Sequence, residues 1–528
     1  MKASKYLLLL VVFGLFSMKF VDEHPKVIIQ KKLENKNLIV LTEPIYFVDS
    51  LTLFYERRSY EPAWNERTAS QLIFAIQQAE DDGLNPNDYH LKQLIKLVLV
   101  KPKTNTEIAA HDILLSDAFL LFASHLTSGK VDPKTVDKEW YYNPKNIKLI
   151  ELLEFALAKN KVNELVELTI PAHSEYGSLK KALSKYRKLT ASDSTKISEG
   201  VILKKDMTDE RIPLIKDHLF TLGFLKKIDT LKTKVFDDSL FVAVQKFQER
   251  YGLENDGIIG SKTIQVMNIS VEERIEQIKA NMERWRWLPS DLGNYYVQVN
   301  IPNYELSVFK NNKLQRTHKV IVGTPLRRTP LFSSTMSTLS FNPTWTVPPG
   351  ILYKDVLPGI RQNSNYLKKK NLTVYDAKGN VVNPATVNWN SNQTKYYIFR
   401  QNSGPDNALG AVKFLFPNDL FIYIHDTPHK ELFNKSERAF SSGCIRVIEP
   451  LDLAEYFLND STNWSRSKID EVVETTKTQN VSLNEMPLVY LFYFTAWVDT
   501  KNVIQFRNDI YELDKPLIEA LNKEIKSK

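Results

Sequence analysis

The feature that most constrains the fold is a change of hydrophobic periodicity near residue 294. Up to about residue 270 the apolar residues recur at helical spacing, whereas from Asn294 onward apolar and polar residues alternate. Turn residues such as Pro302-Asn303 and Asn311-Asn312 interrupt the alternation, which indicates antiparallel strands. The chain has 528 residues, which is too many for one ordinary core. We therefore expect a multidomain α+β protein whose helical part precedes its sheet.

The helical part divides into two units. Residues 40–200 are expected to form a mostly helical scaffold domain, because apolar stripes at helical spacing end at residues such as Gly83 and Gly129. Residues 206–270 contain three short helical segments, and Asp237 or Asp238 is placed to cap the second one. We predict that this second unit is a small three-helix module.

The alternating part is expected to form one β domain with additions. We predict an antiparallel, β-sandwich-like domain over residues 294–460. A polar segment rich in Asn and Lys, at about 351–396, reads as an insertion that forms a lid over this domain. Residues 461–528 are expected to be a C-terminal extension with a hairpin and a helix.

The first 20 residues have the pattern of an export signal. Lys2 and Lys5 precede an apolar run from Tyr6 to Met18, which is shorter than the ~20 residues of a membrane-spanning helix. We expect residues 1–20 to be a signal peptide or a retained signal anchor; a buried N-terminal helix is the alternative.

The charge of the chain bears on its partners. The formal net charge of +8 is spread along the sequence, with no dense basic patch and no aromatic residues set among basic ones. This pattern argues against a nucleic-acid partner. A mild positive field of this kind favours an anionic polymer.

Cys444 is the only cysteine in the chain, so no internal disulfide can form. His425 ends the apolar run "LFIYIH" and is a candidate to take the thiol proton, leaving a thiolate–imidazolium pair. Gly443 permits unusual backbone angles, and its amide and that of Cys444 are candidate oxyanion donors. Arg446 is placed to neutralise a substrate carboxylate or to brace the loop. This set of residues predicts acyl transfer through a thioester.

Two other interpretations of Cys444 stay open at this point. The thiol could be a small buried apolar side chain. It could also be a zinc ligand together with His425, His429 and Asp426. Pro428 argues against a shared helical face for the two histidines, so we predict no metal site and an exposed His429.

The segment "IHDTPHKELFNKSERAFSSGCIRV" resembles the catalytic signature of the L,D-transpeptidases of the YkuD family, which is His, a gap, then Ser/Thr-His-Gly-Cys-x-Arg. The stretches "VGTPLRRTPLFSSTMSTLSFNPTWTVPPG" and "SGPDNALGAVKFLFPN" are similar to the substrate-facing strands of that family. The "DGIIGSKT" that follows an aromatic-Gln helix resembles the peptidoglycan-binding-1 module. The combination resembles the large multidomain branch found in Gram-negative bacteria.

The chain departs from the family pattern at two positions. Ser442 stands where many members have histidine, and Asp426 stands where many have glycine. We interpret both as features of the large branch, with His425 retained as the base.

The resemblance implies a periplasmic peptidoglycan L,D-transpeptidase that needs no cofactor. Cys444 would attack the L-centre carbonyl of the third stem residue, and the terminal D-Ala would leave with a proton from His425. The side-chain amine of a second stem would then attack the thioester and give a 3-3 cross-link. The implied partners are peptidoglycan stem peptides and glycan, the inner membrane through the N-terminal segment, and carbapenem β-lactams as covalent inhibitors. The residues expected to bind or shape the substrate are Arg446, Ser442, Ser441, Tyr423, Asn407 and Arg400.

Alternative functions act on the same polymer. Water as acceptor would make the protein an L,D-carboxypeptidase, and cleavage of another bond would make it a cysteine endopeptidase or amidase. A non-catalytic cell-wall-binding scaffold protein is the alternative from another class. The acceptor is left open between a stem amine, a protein amine, a free D-amino acid and water.

Overall fold

The computed structural model describes residues 23–189, 195–226 and 233–525. The leader predicted over residues 1–20 lies outside these residues.

The N-terminal unit is helical and packs around one long helix. Its helices are α1 (Pro25–Leu33), α2 (Val48–Glu56), α3 (Glu66–Gln77), α4 (Leu91–Leu99), α5 (Asn105–Ser128), α6 (Pro133–Val136), α7 (Leu149–Lys159), α8 (Val162–Glu167) and α9 (Ser174–Arg187), with a hairpin of β1 (Ile39–Val40) and β2 (Glu43–Pro44). A capping box of Thr104 and Glu107 begins α5. Helix α5 is apolar and long enough to cross a membrane, but 83% of its most apolar window is buried inside the protein. It is therefore the core helix of this unit.

The second unit is a three-helix module, as predicted. Its helices are α10 (Ile212–Thr221), α11 (Asp238–Arg250) and α12 (Ser261–Met267). Asp237 is the N-cap of α11, and its side chain accepts a hydrogen bond from the Leu240 amide. Gln248 is buried and donates from its amide to Asp256 and to the Ile258 carbonyl, which fixes the turn before α12.

Helix α13 (Val271–Trp287) connects the module to the sheet and packs against α9 and α5. The module also contacts the C-terminal part of the chain. The ring of Tyr251 stacks on that of Phe506 at 5.5 Å between centroids, and the Arg274 guanidinium lies 4.6 Å from the Tyr251 ring centroid. The module is therefore held against the C-terminal hairpin and helix α13 by aromatic and cation–π contacts.

The β domain is one sheet of eleven strands. The strands outside the insertion are β3 (Tyr295–Asn300), β4 (Glu305–Lys310), β5 (Lys313–Gly323), β6 (Ser333–Thr335), β7 (Thr338–Phe341), β11 (Val412–Leu415), β12 (Ile424–His425), β13 (Ala439–Ser441), β14 (Ile445–Val447), β15 (Gln479–Ser482) and β16 (Leu488–Phe492). The order is β15-β7-β11-β12-β14-β5-β4-β3-β16-β6, and β13 pairs with β5. Most pairs are antiparallel, whereas β12–β14, β3–β16 and β5–β13 are parallel.

The segment between β7 and β11 forms a separate small subdomain. It contains β8 (Trp345–Thr346), α14 (Pro349–Ile351), a π-helical turn (Leu352–Val356), α15 (Leu357–Gln362), α16 (Tyr366–Lys369), β9 (Leu372–Tyr375) and β10 (Ile398–Gln401). Its sheet has the order β8-β10-β9, and its buried residues form a core of their own. We refer to residues 345–401 as the insertion.

The C-terminal part closes the structure with α17 (Pro450–Leu458), α18 (Arg466–Glu474), the hairpin of β17 (Ala496–Val498) and β18 (Ile504–Phe506), and α19 (Asp514–Leu521). Residues 479–492, which the sequence places in an extension, supply β15 and β16 of the large sheet. The predicted fold class is confirmed: a helical scaffold, a three-helix module and a mainly antiparallel β domain with an insertion.

Candidate active site

The site lies on one face of three neighbouring strands. In the parallel pair β12–β14, Ile424 is the register partner of Ile445 and His425 is the partner of Arg446; in the antiparallel pair β11–β12, Lys413 is the partner of His425. Register partners project to the same face of a sheet. The interleaved residues Val412, Phe414, Ile424, Ile445 and Val447 are fully buried on the opposite face.

Cys444 comes directly before β14 and faces Tyr423. The Ile445 amide donates to the Tyr423 carbonyl at 3.0 Å, which extends the pairing by one residue and places Cys444 opposite Tyr423. The Tyr423 hydroxyl lies near the Cys444 sulfur and the Trp345 side chain, and both influence its pKa. The thiol itself lies 3.6 Å from the Phe421 carbonyl oxygen. Burial raises the pKa of the thiol, although Tyr423 and nearby cations oppose that shift.

His425 is buried and held in one orientation. Its Nδ1 faces the backbone carbonyl of Asp426 at short distance. A carbonyl oxygen can only accept, so this contact favours the tautomer with the proton on Nδ1 and the lone pair on Nε2; the Leu409 carbonyl also lies near the ring. Cys444 is two residues before Arg446, the register partner of His425, so the backbones of His425 and Cys444 lie ~8 Å apart on the same face of the sheet.

The electrostatics favour the neutral forms of His425 and Cys444. Burial, with the positive charges of Arg446 and Lys413, lowers the pKa of His425 to about 3. The pKa of the Cys444 thiol is raised at the same time. Both shifts disfavour the thiolate–imidazolium pair that the sequence predicts. Burial is the larger cause for His425, and the cations that the strand pairing sets beside it add to the effect.

The loop before Cys444 is shaped by Gly443 and Ser441. Gly443 has φ +116°, and a Cβ there would lie 3.2 Å from the Arg328 carbonyl oxygen. The buried Ser441 hydroxyl donates to the Cys444 carbonyl at 2.6 Å and accepts from the Gly443 amide at 3.1 Å. Thr329 holds the Gly443 carbonyl at 2.7 Å.

This arrangement changes the expected oxyanion donors. Since the Gly443 amide already donates to Ser441, it is occupied in this state. The Cys444 amide makes no hydrogen bond within the described part of the chain. The Tyr423 hydroxyl keeps its proton, because burial and the neighbouring thiol raise its pKa. The Cys444 amide and the Tyr423 hydroxyl are thus the candidate oxyanion donors beside the sulfur, and the Tyr423 backbone amide also interacts with the thiol.

Ser442 connects the loop to the insertion. Its exposed hydroxyl accepts a hydrogen bond from Arg327 Nη1 at 3.0 Å. The same guanidinium forms a bidentate ion pair with Asp355 of the insertion, at 2.5 and 2.7 Å. Arg327 therefore joins the loop that carries the thiol to the insertion.

Two expected substrate-binding residues are placed otherwise. Asn407 is buried, and its amide donates to the Asn402 carbonyl and accepts from the Leu409 amide, both at 2.8 Å. Its side chain thus stabilises its own loop, with the Oδ1 and one of the two Nδ2 hydrogens engaged there. Arg400 lies on β10, where Nε donates to Thr346 at 3.2 Å within the insertion.

The metal alternative gains no geometric support. His429 is exposed beside Glu431, as predicted, whereas His425 is buried in the sheet. Among residues 23–189, 195–226 and 233–525, no group of three or more His, Cys, Asp or Glu side chains is arranged to hold a metal ion.

Sequence reasoning missed Lys413, Trp345 and Arg327. Lys413 Nζ lies 3.8 Å from the Tyr423 ring centroid, on the face that carries Cys444. The alternation in "AVKFLF" predicts that Lys413 lies on the opposite face of its strand from the buried Val412 and Phe414. Its position beside His425, however, depends on the pairing of β11 with β12, which the sequence does not reveal.

Three family models match successive parts of the chain. Residues 49–183 match the "Scaffold domain", residues 208–267 the "Putative peptidoglycan binding domain", and residues 294–470 the "L,D-transpeptidase catalytic domain". The ranges follow the scaffold, the three-helix module and most of the β domain, and Cys444 and His425 lie in the third.

A curated relative from Haemophilus influenzae, described as "Putative L,D-transpeptidase", is 37% identical over 250 residues. The match covers 47% of this chain and 50% of the relative, so this chain spans about half the length of that relative.

Two solved structures were also found. A "Fused Zn-dependent amidase/peptidase/peptodoglycan-binding domain-containing protein" from Clostridium acetobutylicum covers 56% of this chain and 100% of its own length, with 11% identity and a TM-score of 0.16. The match to the "Ldtfm-avibactam carbamoyl enzyme" covers 60% of this chain and 98% of that structure's chain, with 11% identity and a TM-score of 0.19.

Proposed function

We propose that this chain, which carries an L,D-transpeptidase catalytic domain and a peptidoglycan-binding module, cross-links peptidoglycan stem peptides through a thioester on Cys444. One observation carries the proposal. The sheet register sets Cys444 and an oriented His425 on one face, and the low pKa of His425 leaves its imidazole neutral. A thiol and a neutral imidazole that can accept its proton are the two groups that a cysteine acyltransferase uses, which supports the proposal.

The first half-reaction forms the acyl-enzyme. As the sulfur attacks the L-centre carbonyl carbon of the third stem residue, His425 Nε2 takes the thiol proton and a C–S bond forms. The carbon–nitrogen bond to the terminal D-Ala then breaks, and His425 returns the proton to the leaving amine. Proton transfer accompanies the attack because the resting pair is neutral.

The second half-reaction consumes the thioester. The side-chain amine of a second stem attacks the same carbonyl, His425 accepts a proton from that amine, and the sulfur leaves and is reprotonated. The product is a 3-3 cross-link between the two stems. Water in place of the amine would give the L,D-carboxypeptidase reaction.

Both steps pass through an oxyanion. The Cys444 amide and the Tyr423 hydroxyl are its proposed donors, and each such donor contributes roughly 3 kcal/mol to the transition state. The Trp345 side chain of the insertion lies near the Tyr423 hydroxyl, which supports a part for the insertion in building the site.

Localisation is part of the proposal. Stem peptides lie outside the cytoplasm, so we propose a periplasmic enzyme whose N-terminal segment directs export or holds it at the inner membrane. The apolar run from Tyr6 to Met18 supports this proposal. Release of the protein from spheroplasts, with and without detergent, tests it, and recovery with the cytoplasmic fraction would contradict it.

The test of the activity is intact-protein mass after incubation with a carbapenem and, separately, with a tetrapeptide stem. Wild-type protein is compared with Cys444→Ser. An adduct on wild type alone, together with tetrapeptide dimers linked 3-3 among the products, is the expected result. Hydrolysed tripeptide without dimers would replace the transpeptidase by the carboxypeptidase. If neither protein forms an adduct, the proposed activity is contradicted and the alternative of a non-catalytic cell-wall-binding protein is favoured.

A further inference from the structure

Lys413 and Arg446 flank His425 on its two neighbouring strands. Both are register partners of the histidine, so the three side chains form a row across β11, β12 and β14 on the face that carries Cys444. Adjacent strands are ~4.8 Å apart, which puts the two cations on either side of the imidazole.

Neither cation has an anionic partner among the described residues. Lys413 is half-buried. Its ammonium makes a cation–π contact with the Tyr423 ring, with Nζ 3.8 Å from the ring centroid. Arg446 Nε is buried and makes no hydrogen bond. Arg327 of the same domain, by contrast, forms an ion pair with Asp355. Two cations in one row without a carboxylate form a receptor for an anion.

We propose that Lys413 and Arg446 together bind the terminal carboxylate of the donor stem, the carboxylate of the D-amino acid that leaves. This inference rests on the proposed function and names a subsite within it. A carboxylate offers two oxygens, one for the ammonium of Lys413 and one for the guanidinium of Arg446.

The position of the subsite selects this carboxylate over others. Arg446 is two residues beyond Cys444, and the terminal carboxylate of a tetrapeptide donor is one residue, ~3.8 Å, beyond the scissile bond. A donor longer by one residue would carry its carboxylate past the row. The subsite therefore favours donors that end one residue after the scissile carbonyl.

The experiment measures binding in a protein that cannot turn over. Isothermal titration of the full-length Cys444→Ser protein uses one tetrapeptide stem with a free C-terminal acid and the same peptide as its C-terminal amide. The titrations are repeated with Lys413→Met and with Lys413→Arg added. Lys313→Met is the matched control, because Lys313 is an exposed lysine at the far end of β5.

The free acid is expected to bind roughly 10- to 100-fold more tightly than the amide, since a charge-assisted hydrogen bond is lost with the carboxylate. Lys413→Met should reduce that preference about tenfold or more, while Lys413→Arg and Lys313→Met should retain it. Equal binding of acid and amide to the Cys444→Ser protein would overturn the inference. An unchanged preference in a folded Lys413→Met protein would overturn the role of Lys413.

The proposed function is judged separately. The wild-type protein is incubated with the free-acid tetrapeptide and its mass and products are recorded. Absence of acylation and of products contradicts the function, whereas the acid-to-amide binding ratio alone decides the subsite.

Discussion

His425 and Arg446 are register partners in the parallel pair β12–β14, so a guanidinium lies beside the proposed catalytic base. Its charge, with that of Lys413, adds to burial in lowering the pKa of His425 to about 3. The base is therefore neutral throughout the physiological range, and the thiol keeps its proton until a substrate is attacked. This electrostatic state determines how the thiol should respond to pH.

We expect the alkylation rate of Cys444 by iodoacetamide to keep rising as pH increases past 9, because the thiol pKa is raised above its ordinary value. A thiolate–imidazolium pair would instead give a plateau near or below neutrality. The chain has one cysteine, so mass labelling reads this site alone, and Cys444→Ser measures background. A plateau at neutral pH would contradict the neutral pair.

A second buried histidine allows a test of stability that is independent of the site. Burial lowers the pKa of His125 to about 3, and its Nδ1 lies 3.2 Å from the Tyr89 hydroxyl. A depressed folded-state pKa means that stability is present above the unfolded value of about 6.5 and is lost as pH falls towards 3.

For His125 that loss amounts to about 2 kcal/mol between pH 7 and pH 5. Replacement of His125 by Gln should remove this part of the acid sensitivity, although it lowers stability at pH 7. Urea unfolding of the variant and of wild type at the two pH values measures the difference. The same pH dependence in both proteins would show that His125 is not the group concerned.

The fold could be predicted largely because its cues are local. The change from helical to alternating periodicity near residue 294 marks the boundary between helices and sheet, and the Asp237 cap and the "DGIIGSKT" turn mark the small module. The parallel pairing of β12 with β14 was not predicted, since register between distant strands depends on tertiary packing. The pairing of residues 479–492 with the large sheet was not predicted for the same reason.

The candidate site was only partly predictable. Cys444, His425 and Gly443 stand in one short segment, so their chemistry can be read from residue types and spacing. Lys413 and Trp345 reach the thiol only through strand pairing and through the insertion. Nothing in the sequence around Asn407 indicates that its side chain hydrogen-bonds within its own loop.

Tyr423→Phe should slow acylation of Cys444 while leaving the fold intact. The change removes one hydroxyl, which lies near the sulfur and the Trp345 side chain, and keeps the ring that packs under Lys413. Loss of one oxyanion donor lowers the rate about 10²- to 10³-fold. Stopped-flow acylation by a carbapenem and the melting temperature are the measurements. Acylation at the wild-type rate would exclude the hydroxyl as a donor.

Gly443→Ala should destabilise the loop and displace the thiol. The residue has φ +116°, and the new Cβ would meet the Arg328 carbonyl oxygen at 3.2 Å and Ile422 Cδ1 at 3.3 Å. We expect a loss of 1–3 kcal/mol in the free energy of unfolding, about what such strain costs, together with slow acylation. Gly379→Ala is the matched control, because Gly379 also has positive φ but nothing within 4 Å. Equal effects on acylation in both variants would rule out crowding at Gly443 as the cause.

The Arg327–Asp355 ion pair should hold the insertion closed over the thiol loop. Arg327 is the group that contacts both Asp355 and Ser442, so Asp355→Asn weakens the contact to the insertion and leaves the serine contact in place. Hydrogen exchange of residues 351–370 should become faster in this variant, while exchange in β12 and β14 stays unchanged. The exchanged pair, Arg327→Asp combined with Asp355→Arg, should restore part of the protection, because opposite charges again face each other.

Lys310→Gln is the control, since the ion pair of Lys310 with Glu485 lies elsewhere in the domain. If residues 351–370 exchange no faster in Asp355→Asn than in Lys310→Gln, the Arg327–Asp355 ion pair does not hold the insertion in place. The apolar core of the insertion, which includes Val356, Leu357 and Ile360, would then be the next part to alter.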